Sequence, residues 1–253
     1  MDIIPLPAFR DNYIWLLRTG HDAAVVDPGD AEVVENHLAE QGLALRAVLL
    51  THHHADHVGG VGELLGRHRV PVFGPAGESI AGVDHPVKEG DEVALPGFPL
   101  RFTVLDVPGH TAGHVAYRAP GLIFPGDTLF SAGCGRLLGG TAAQLFASLE
   151  RLAALPEDTA LYCAHEYTLA NLAFAHAAEP HNPARDEYAA ACAARRAHGL
   201  PTLPSTIGLE RRVNPFLRVR EPGVIDAVAR HSGQTPAGPE ACFAALRRWK
   251  DTF

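Results

Sequence analysis

Nowhere in the 253 residues is there an apolar run of the roughly 20 residues that a membrane-spanning helix needs, which excludes a helical membrane protein. Nor does the N-terminus, MDIIPLPAFRDNY, carry a basic stretch followed by a long apolar one. A secretory leader is therefore not expected, and the chain is read as cytoplasmic. Cationic excess is missing as well. Twenty-one Lys and Arg stand against 29 Asp and Glu, a net charge of −8, which argues against nucleic acid or a membrane surface as partner. The four cysteines, Cys134, Cys163, Cys192 and Cys242, form no CxxC pair, and a chain of this size needs no disulfide staples; they read as separate free thiols. There is no GxSxG elbow, and Ser131, Ser148 and Ser205 sit in no motif, which disfavours a covalent serine route.

Histidine is what the chain has in abundance: fifteen, several of them clustered. With 47% hydrophobic and 20% charged residues, the composition is that of an ordinary globular protein with a sizeable core. Residues 3–5, 13–18 and 23–27 read as a meander of strands, and Asp30 is placed to cap a helix that runs to Gln41 and ends at Gly42. The apolar run RAVLL (46–50) reads as a buried strand leading straight into THHHADH. A helix over 56–68 and a strand over 70–73 are expected next. Strands over 100–107, 114–118 and 122–125, a helix over 141–155 and a strand over 160–164 complete a β-rich pattern repeated roughly twice. That pattern fits an α+β chain with two sheets face to face and helices outside, an αββα sandwich. From residue 168 on, the chain turns helical: 168–178, 183–198, 223–231 and 239–250 read as helices, and 200–217 as an extended connector punctuated by proline. The organisation read from this is one domain over 1–167 and a helical one over 168–253.

THHHADH carries the strongest chemical signal, because imidazole nitrogen and carboxylate oxygen are the donors that zinc and related ions take. His52 and His54 lie two apart at a strand end and can point the same way, while His53 between them points elsewhere. Asp56 and His57 follow where the loop turns into a helix. Three further segments each add one donor just past a strand: His110 in PGHT, Asp127 in GDT and His165 in AHE. Structural zinc sites favour Cys and leave no open position, so a Cys-free set of His and Asp suits a site with a reactive water. Asp27 in VVDPG and His114 in GHTAGH are candidates for orienting the ligands by hydrogen bonding.

THHHADH followed by a His, by GDT and by a final His resembles the metallo-β-lactamase superfamily. Within it the chain is similar to the glyoxalase II family, the hydroxyacylglutathione hydrolases, over nearly its full length. DNYIW (11–15), VVDPG (25–29), GHTAGH (109–114), GDTLFSAGCGR (126–136), AHEYTLAN (164–171), NPFLR (214–218) and RRWKD (247–251) carry that likeness. The resemblance implies the metallo-β-lactamase sandwich with a C-terminal helical domain that binds substrate. It also implies hydrolysis of S-(2-hydroxyacyl)glutathione thioesters, chiefly S-D-lactoylglutathione to D-lactate and glutathione. Two divalent metal ions are implied, zinc first, with iron and manganese also compatible with N and O donors. By the resemblance, His52, His54 and His110 hold one, Asp56, His57 and His165 hold the other, and Asp127 bridges both, as does a hydroxide that acts as nucleophile. Asp56 and Asp127 are the catalytic carboxylates of that scheme. Arg136 of GCGR, Tyr167 of HEY, and Arg247 and Lys250 of RRWK carry over as contacts to glutathione, whose carboxylates call for cations within an acidic protein. Leu138, where many relatives have an aromatic residue, and Gly139, where bacterial relatives tend to have Glu, depart from the pattern at the substrate pocket and not at the metal site.

A thioester suits this scheme because its leaving thiol has a pKa near 8.5 and departs without a strong general acid. The rival readings are a mononuclear-iron dioxygenase acting on glutathione persulfide, a broader metal-dependent thioesterase or lactonase, and a metal-binding module without catalysis. The partner expected is a small glutathione thioester, met by a monomer.

Overall fold

The computed structural model describes residues 1–253, which divide into two compact units: Met1–Val107 with Ala112–Gly126, and Pro108–Thr111 with Asp127–Phe253. No helix is long and apolar enough to cross a membrane.

The first unit begins with a sheet in the order β1 (Asp2–Ala8), β2 (Asn12–Thr19), β3 (Asp22–Val26), β4 (Ala44–Leu49), β5 (Val72–Pro75), β6 (His85–Val87). The first three strands pair antiparallel, and β3 to β6 run parallel. Strand β2 shows why the sheet is an inner layer: Ile14, Leu16, Trp15 and Leu17 are all buried although they alternate between its faces. The β3–β4 crossover is helix α1 (Ala31–Gln41), which follows from its ends. Asp30 accepts from the backbone N–H of Glu32 and Val33, and Gly42 takes the left-handed conformation at φ 61° that stops the helix. Its buried positions Ala31, Val34 and Leu38 pack with Ile14, Leu16, Val25 and Val48 of the sheet.

Beyond β4 come α2 (Ala55–Val58) and α3 (Val61–Arg67), where the sequence predicts one helix over 56–68. The break falls at Gly59–Gly60 because their backbone lies against the 28–31 turn. The Gly60 N–H donates to Pro28 O at 3.0 Å, and a Cβ on Gly60 would overlap Ala31 N and Pro28 O. A second antiparallel set follows in the order β10 (Leu122–Phe124), β9 (Val115–Ala119), β8 (Arg101–Asp106), β7 (Glu92–Ala94). It is fastened to the end of β4: Val115 N–H donates to Thr51 O at 3.0 Å and the buried Tyr117 hydroxyl to Leu50 O at 2.9 Å.

The second unit has the hairpin β11 (Leu129–Phe130) with β12 (Gly133–Cys134), helix α4 (Ala142–Ala153), and the pair β13 (Ala160–Leu161) with β14 (Ser205–Thr206). Helices α5 (Thr168–Ala178), α6 (Pro183–Ala197), α7 (Ile207–Val213), α8 (Pro222–Ser232) and α9 (Pro239–Asp251) make up the rest. Caps explain most starts: Thr141 and Gln144 form a capping box for α4, Asn182 accepts from Arg185 N–H with Pro183 behind it, and Pro222 and Pro239 open α8 and α9. Helix α7 corrects the extended connector read over 200–217. Thr206 caps it by accepting from Leu209 N–H, and Ile207, Glu210 and Val213 are buried at helical spacing.

Glu210 is the hub of this unit. Fully buried, it accepts from Ala132 N–H (2.7 Å), Ser131 Oγ (3.1 Å), Ser205 Oγ (2.5 Å) and Asn214 Nδ2 (3.1 Å), and burial raises its carboxyl pKa. The 129–134 hairpin turns on Ala132 at φ 53°, and this carboxylate satisfies the donors of that turn. Glu210→Ala is expected to strand at least two buried donors at about 1–3 kcal/mol each, lowering the calorimetric midpoint by roughly 5–10 °C.

Candidate metal centre

Parallel strands β3 and β4 end side by side, with Val26 paired to Leu49, and the chain beyond each end carries the polar groups of the first unit. Asp27 follows β3 in the left-handed region at φ 53°, a conformation Asp tolerates better than most residues. Its Oδ1 accepts from Thr51 N–H (2.8 Å), and its Oδ2 accepts from Thr51 Oγ1 (2.7 Å) and lies 3.0 Å from His57 Nδ1. These contacts fix the proton positions. A carboxylate only accepts, so His57 donates from Nδ1 and keeps a lone pair on Nε2. Thr51 spends its one hydroxyl proton on Asp27, so at 3.0 Å it accepts from His52 Nδ1, and His52 likewise keeps its lone pair on Nε2. His52 Nε2 stands 3.0 Å from His54 Nδ1, and His57 Nε2 stands 3.4 Å from Asp56 Oδ2. Donors on His52, His57 and Asp27 lie within 4.8 Å of one another, but Asp27 is taken up by its three hydrogen bonds and serves to orient the imidazoles.

The His114 ring stacks on His52 with centroids 4.6 Å apart. Gly126, at φ 50°, admits no side chain because a Cβ would overlap Thr51 Oγ1 and the His114 ring, which explains the glycine of GDT. His53 points elsewhere, to Glu78 Oε2 at 2.7 Å; Glu78 also accepts from Gly113 N–H.

In the second unit His110 donates from Nδ1 to the carbonyl of Arg136 at 2.8 Å, which leaves the lone pair on Nε2. That Nε2 faces Asp127 Oδ2 at 3.4 Å, while the other oxygen, Oδ1, faces His165 Nε2 at 3.3 Å. All three residues are buried. The His165 ring is held by Tyr167, stacked at 4.6 Å and 4°, and by the edge of Phe130.

These distances test whether cations fit. A nitrogen lone pair set against a carboxylate oxygen is repulsive without positive charge between them. A proton would draw such a pair to about 2.7–2.9 Å. Around a tetrahedral zinc with bonds of about 2.0–2.1 Å, neighbouring donors stand about 3.3 Å apart. The three nitrogen–carboxylate pairs here, at 3.4, 3.4 and 3.3 Å, match the edge of a metal polyhedron, while the His52 and His54 nitrogens at 3.0 Å stand at hydrogen-bond distance; the His and Asp donors suit a divalent ion. None of the four cysteines joins them: all are buried free thiols, and burial pushes Cys134 up to about 11.

The four residues read as glutathione contacts all lie in the second unit. Arg136 is exposed, its Nε 3.9 Å from Asp251 Oδ1. Tyr167 leads into α5, and Lys250 reaches Ala170 O at 3.4 Å, its ammonium over the Phe174 and Phe253 rings. Burial, then the charges of Arg247 and Arg136, depress the Lys250 pKa. Arg247, a glutathione contact by the resemblance, is enclosed by its own neighbours. Only 3% exposed, it donates to Cys134 O (2.9 Å), Gly135 O (3.4 Å) and Asp251 Oδ1 (2.9 Å), with its guanidinium over Phe216. Sequence reasoning also left Thr51 and the Arg136 carbonyl without roles. The side chain of Thr51 was in view within the motif, but a carbonyl's direction has no sequence signal.

Comparison with known proteins agrees along the whole chain. The metallo-beta-lactamase superfamily matches residues 8–165, and the hydroxyacylglutathione hydrolase C-terminus matches residues 166–253. A hydroxyacylglutathione hydrolase of Alkalilimnicola ehrlichii is 57% identical, covering 99% of this chain and 98% of its own. One of Cupriavidus taiwanensis is 54% identical, covering 100% and 99%. Among solved structures, ETHE1 from Myxococcus xanthus superposes with a TM-score of 0.67 at 27% identity, over 100% of this chain and 99% of that one. TTHA1623, solved in a di-iron-bound form, has a TM-score of 0.58 at 30% identity, over 86% and 100%. The chain therefore has the metallo-β-lactamase fold with a C-terminal helical domain, and it belongs to the hydroxyacylglutathione hydrolase (glyoxalase II) family of the metallo-β-lactamase superfamily.

Proposed function

We propose that this chain hydrolyses S-(2-hydroxyacyl)glutathione thioesters, S-D-lactoylglutathione above all, and that its donors serve two divalent ions, zinc first. His52, His54 and His110 are assigned to one ion, Asp56, His57 and His165 to the other, and Asp127 to both. The observation that carries this reading is the Asp127 carboxylate, whose two oxygens face two different imidazoles at 3.4 and 3.3 Å, as a bridging ligand's do.

When bound, such ions bring the pKa of a shared water toward neutrality and polarise a carbonyl. The chain's own residues prepare for that. Asp27 and the Arg136 carbonyl accept hydrogen bonds from the Nδ1–H groups of His57 and His110, so that both rings offer Nε2. Thr51 does the same for His52. No side chain need protonate the leaving group, since a thiolate departs unaided near neutral pH. Residues 168–253 are assigned to the glutathione moiety, with Arg136 and Lys250 set for its carboxylates, Tyr167 for its peptide backbone, and Arg247 contributing to the same cationic cluster. The same reading has a monomer acting in the cytoplasm, where a free glutathione thiol is the product.

The test compares S-D-lactoylglutathione with lactoyl-coenzyme A, before and after chelation. A kcat/KM at least a hundredfold higher for the glutathione thioester, abolished by chelator and restored by zinc, is expected. Equal rates on both thioesters would make the chain a broader thioesterase, and oxygen uptake with glutathione persulfide would make it a dioxygenase.

A further inference from the structure

Asn12 opens β2 directly after the 9–11 turn, and the residue is buried at 8% exposure. Its Nδ2 donates to Asp56 Oδ2 at 3.0 Å and approaches Asp56 O at 3.4 Å. The oxygen it holds is the one that faces His57 Nε2 at 3.4 Å. Asp56 needs such a hold. It sits in a helix of only four residues, Ala55–Val58, and its side chain is 43% exposed, so water competes for the carboxylate. His57, one residue on, is 1% exposed and fixed through Asp27. Of this adjacent pair one donor is anchored by burial, and the other relies on a neighbour.

The neighbour is itself rigid. Asn12 pairs with Ala8 in the β1–β2 ladder, and the intervening turn passes through Phe9 at φ 51°. The Asp56 backbone is fixed from another side by Gly29, where a Cβ would overlap Asp56 O. A neutral amide is well matched to this carboxylate. It donates without the repulsion of a second carboxylate and without bringing a cation's own charge into the site.

The geometry points to Asn12 as a positioning residue that holds the Asp56 carboxylate in register with His57, and so sets how tightly the ion assigned to those two residues is kept. This rests on the function proposed above. Removing a group that orients a metal ligand typically costs 10–100-fold in metal affinity.

The experiment measures zinc affinity by chelator competition in the full chain, for the wild type, Asn12→Leu (same branching, somewhat larger, no donor) and Asn12→Asp (same shape, no donor). The melting temperature of each metal-free protein is measured alongside. The expected result is that one zinc weakens 10–100-fold, the other holds within about threefold, and the metal-free melting temperature shifts little. In an Asp56→Asn background, Asn12→Leu should add no further loss. Unchanged affinity for both ions, or equal weakening of both, overturns the inference, and so does a further loss in the Asp56→Asn background. If the wild type binds a single zinc, the two-ion reading fails by itself. The inference then stands if Asn12→Leu loosens that zinc and falls if it does not.

Discussion

Asp127→Asn is expected to lower kcat/KM for S-D-lactoylglutathione by about a thousandfold or more, with little change in the folded structure. The substitution keeps the shape of a side chain that is 10% exposed, so packing is preserved. What it removes is one of two equivalent acceptors. An amide presents an oxygen to one imidazole but an NH2 group to the other, and NH2 carries no lone pair for a cation. Losing several kcal/mol of charge stabilisation corresponds to about three orders of magnitude in rate. Zinc content after dialysis should fall together with the rate, while the far-ultraviolet circular dichroism stays as in the wild type. A variant that keeps its zinc and more than a tenth of its activity would show that the paired 3.3 and 3.4 Å contacts have no bridging role.

Arg247→Ala and Lys250→Ala are expected to separate, although both lie in RRWKD. Arg247 is a buried strut, and its loss leaves the Cys134 and Gly135 carbonyls without their partner and removes a cation from the face of Phe216. Its pair with Asp251 counts for less, because that carboxylate is 39% exposed. A destabilisation of about 3 kcal/mol follows, measurable by denaturant unfolding. The next residue along, Arg136, supplies the carbonyl that orients His110, so loosening this loop should also lower kcat by about 10-fold. Lys250→Ala removes a half-buried ammonium and should raise KM several-fold with kcat within about twofold. If Arg247→Ala raises KM alone and leaves stability intact, Arg247 is the glutathione contact that the resemblance implied and not a strut.

That contrast shows where sequence reading ran out. The helix from Asp30 to Gly42 was legible because its cap and its stop are local chemistry, and α1 spans Ala31–Gln41 between them. The gathering of the THHHADH side chains was legible because residue type and spacing put several N and O donors into one short segment. The break at Gly59–Gly60 was not, since it depends on the backbone approach of the 28–31 turn. Helix α7 was hidden by Pro201, Pro204 and Pro215 around a seven-residue element whose cap, Thr206, has no long periodic run behind it. The role of Arg247 was hidden for a related reason: an Arg on a terminal helix reads as exposed until its partners, the Cys134 and Gly135 carbonyls more than 110 residues earlier in the chain, are known. Leu138 and Gly139 depart from the family pattern. Leu138 is exposed and its N–H donates to His110 O at 2.9 Å, so the backbone of the departing residue supports a proposed ligand while its side chain faces outward.

The most direct test of the account is to strip the protein of metal and titrate zinc back while following S-D-lactoylglutathione hydrolysis. A rate that is negligible without metal and saturates near two zinc ions per chain is predicted. Full hydrolysis by metal-free protein would contradict it.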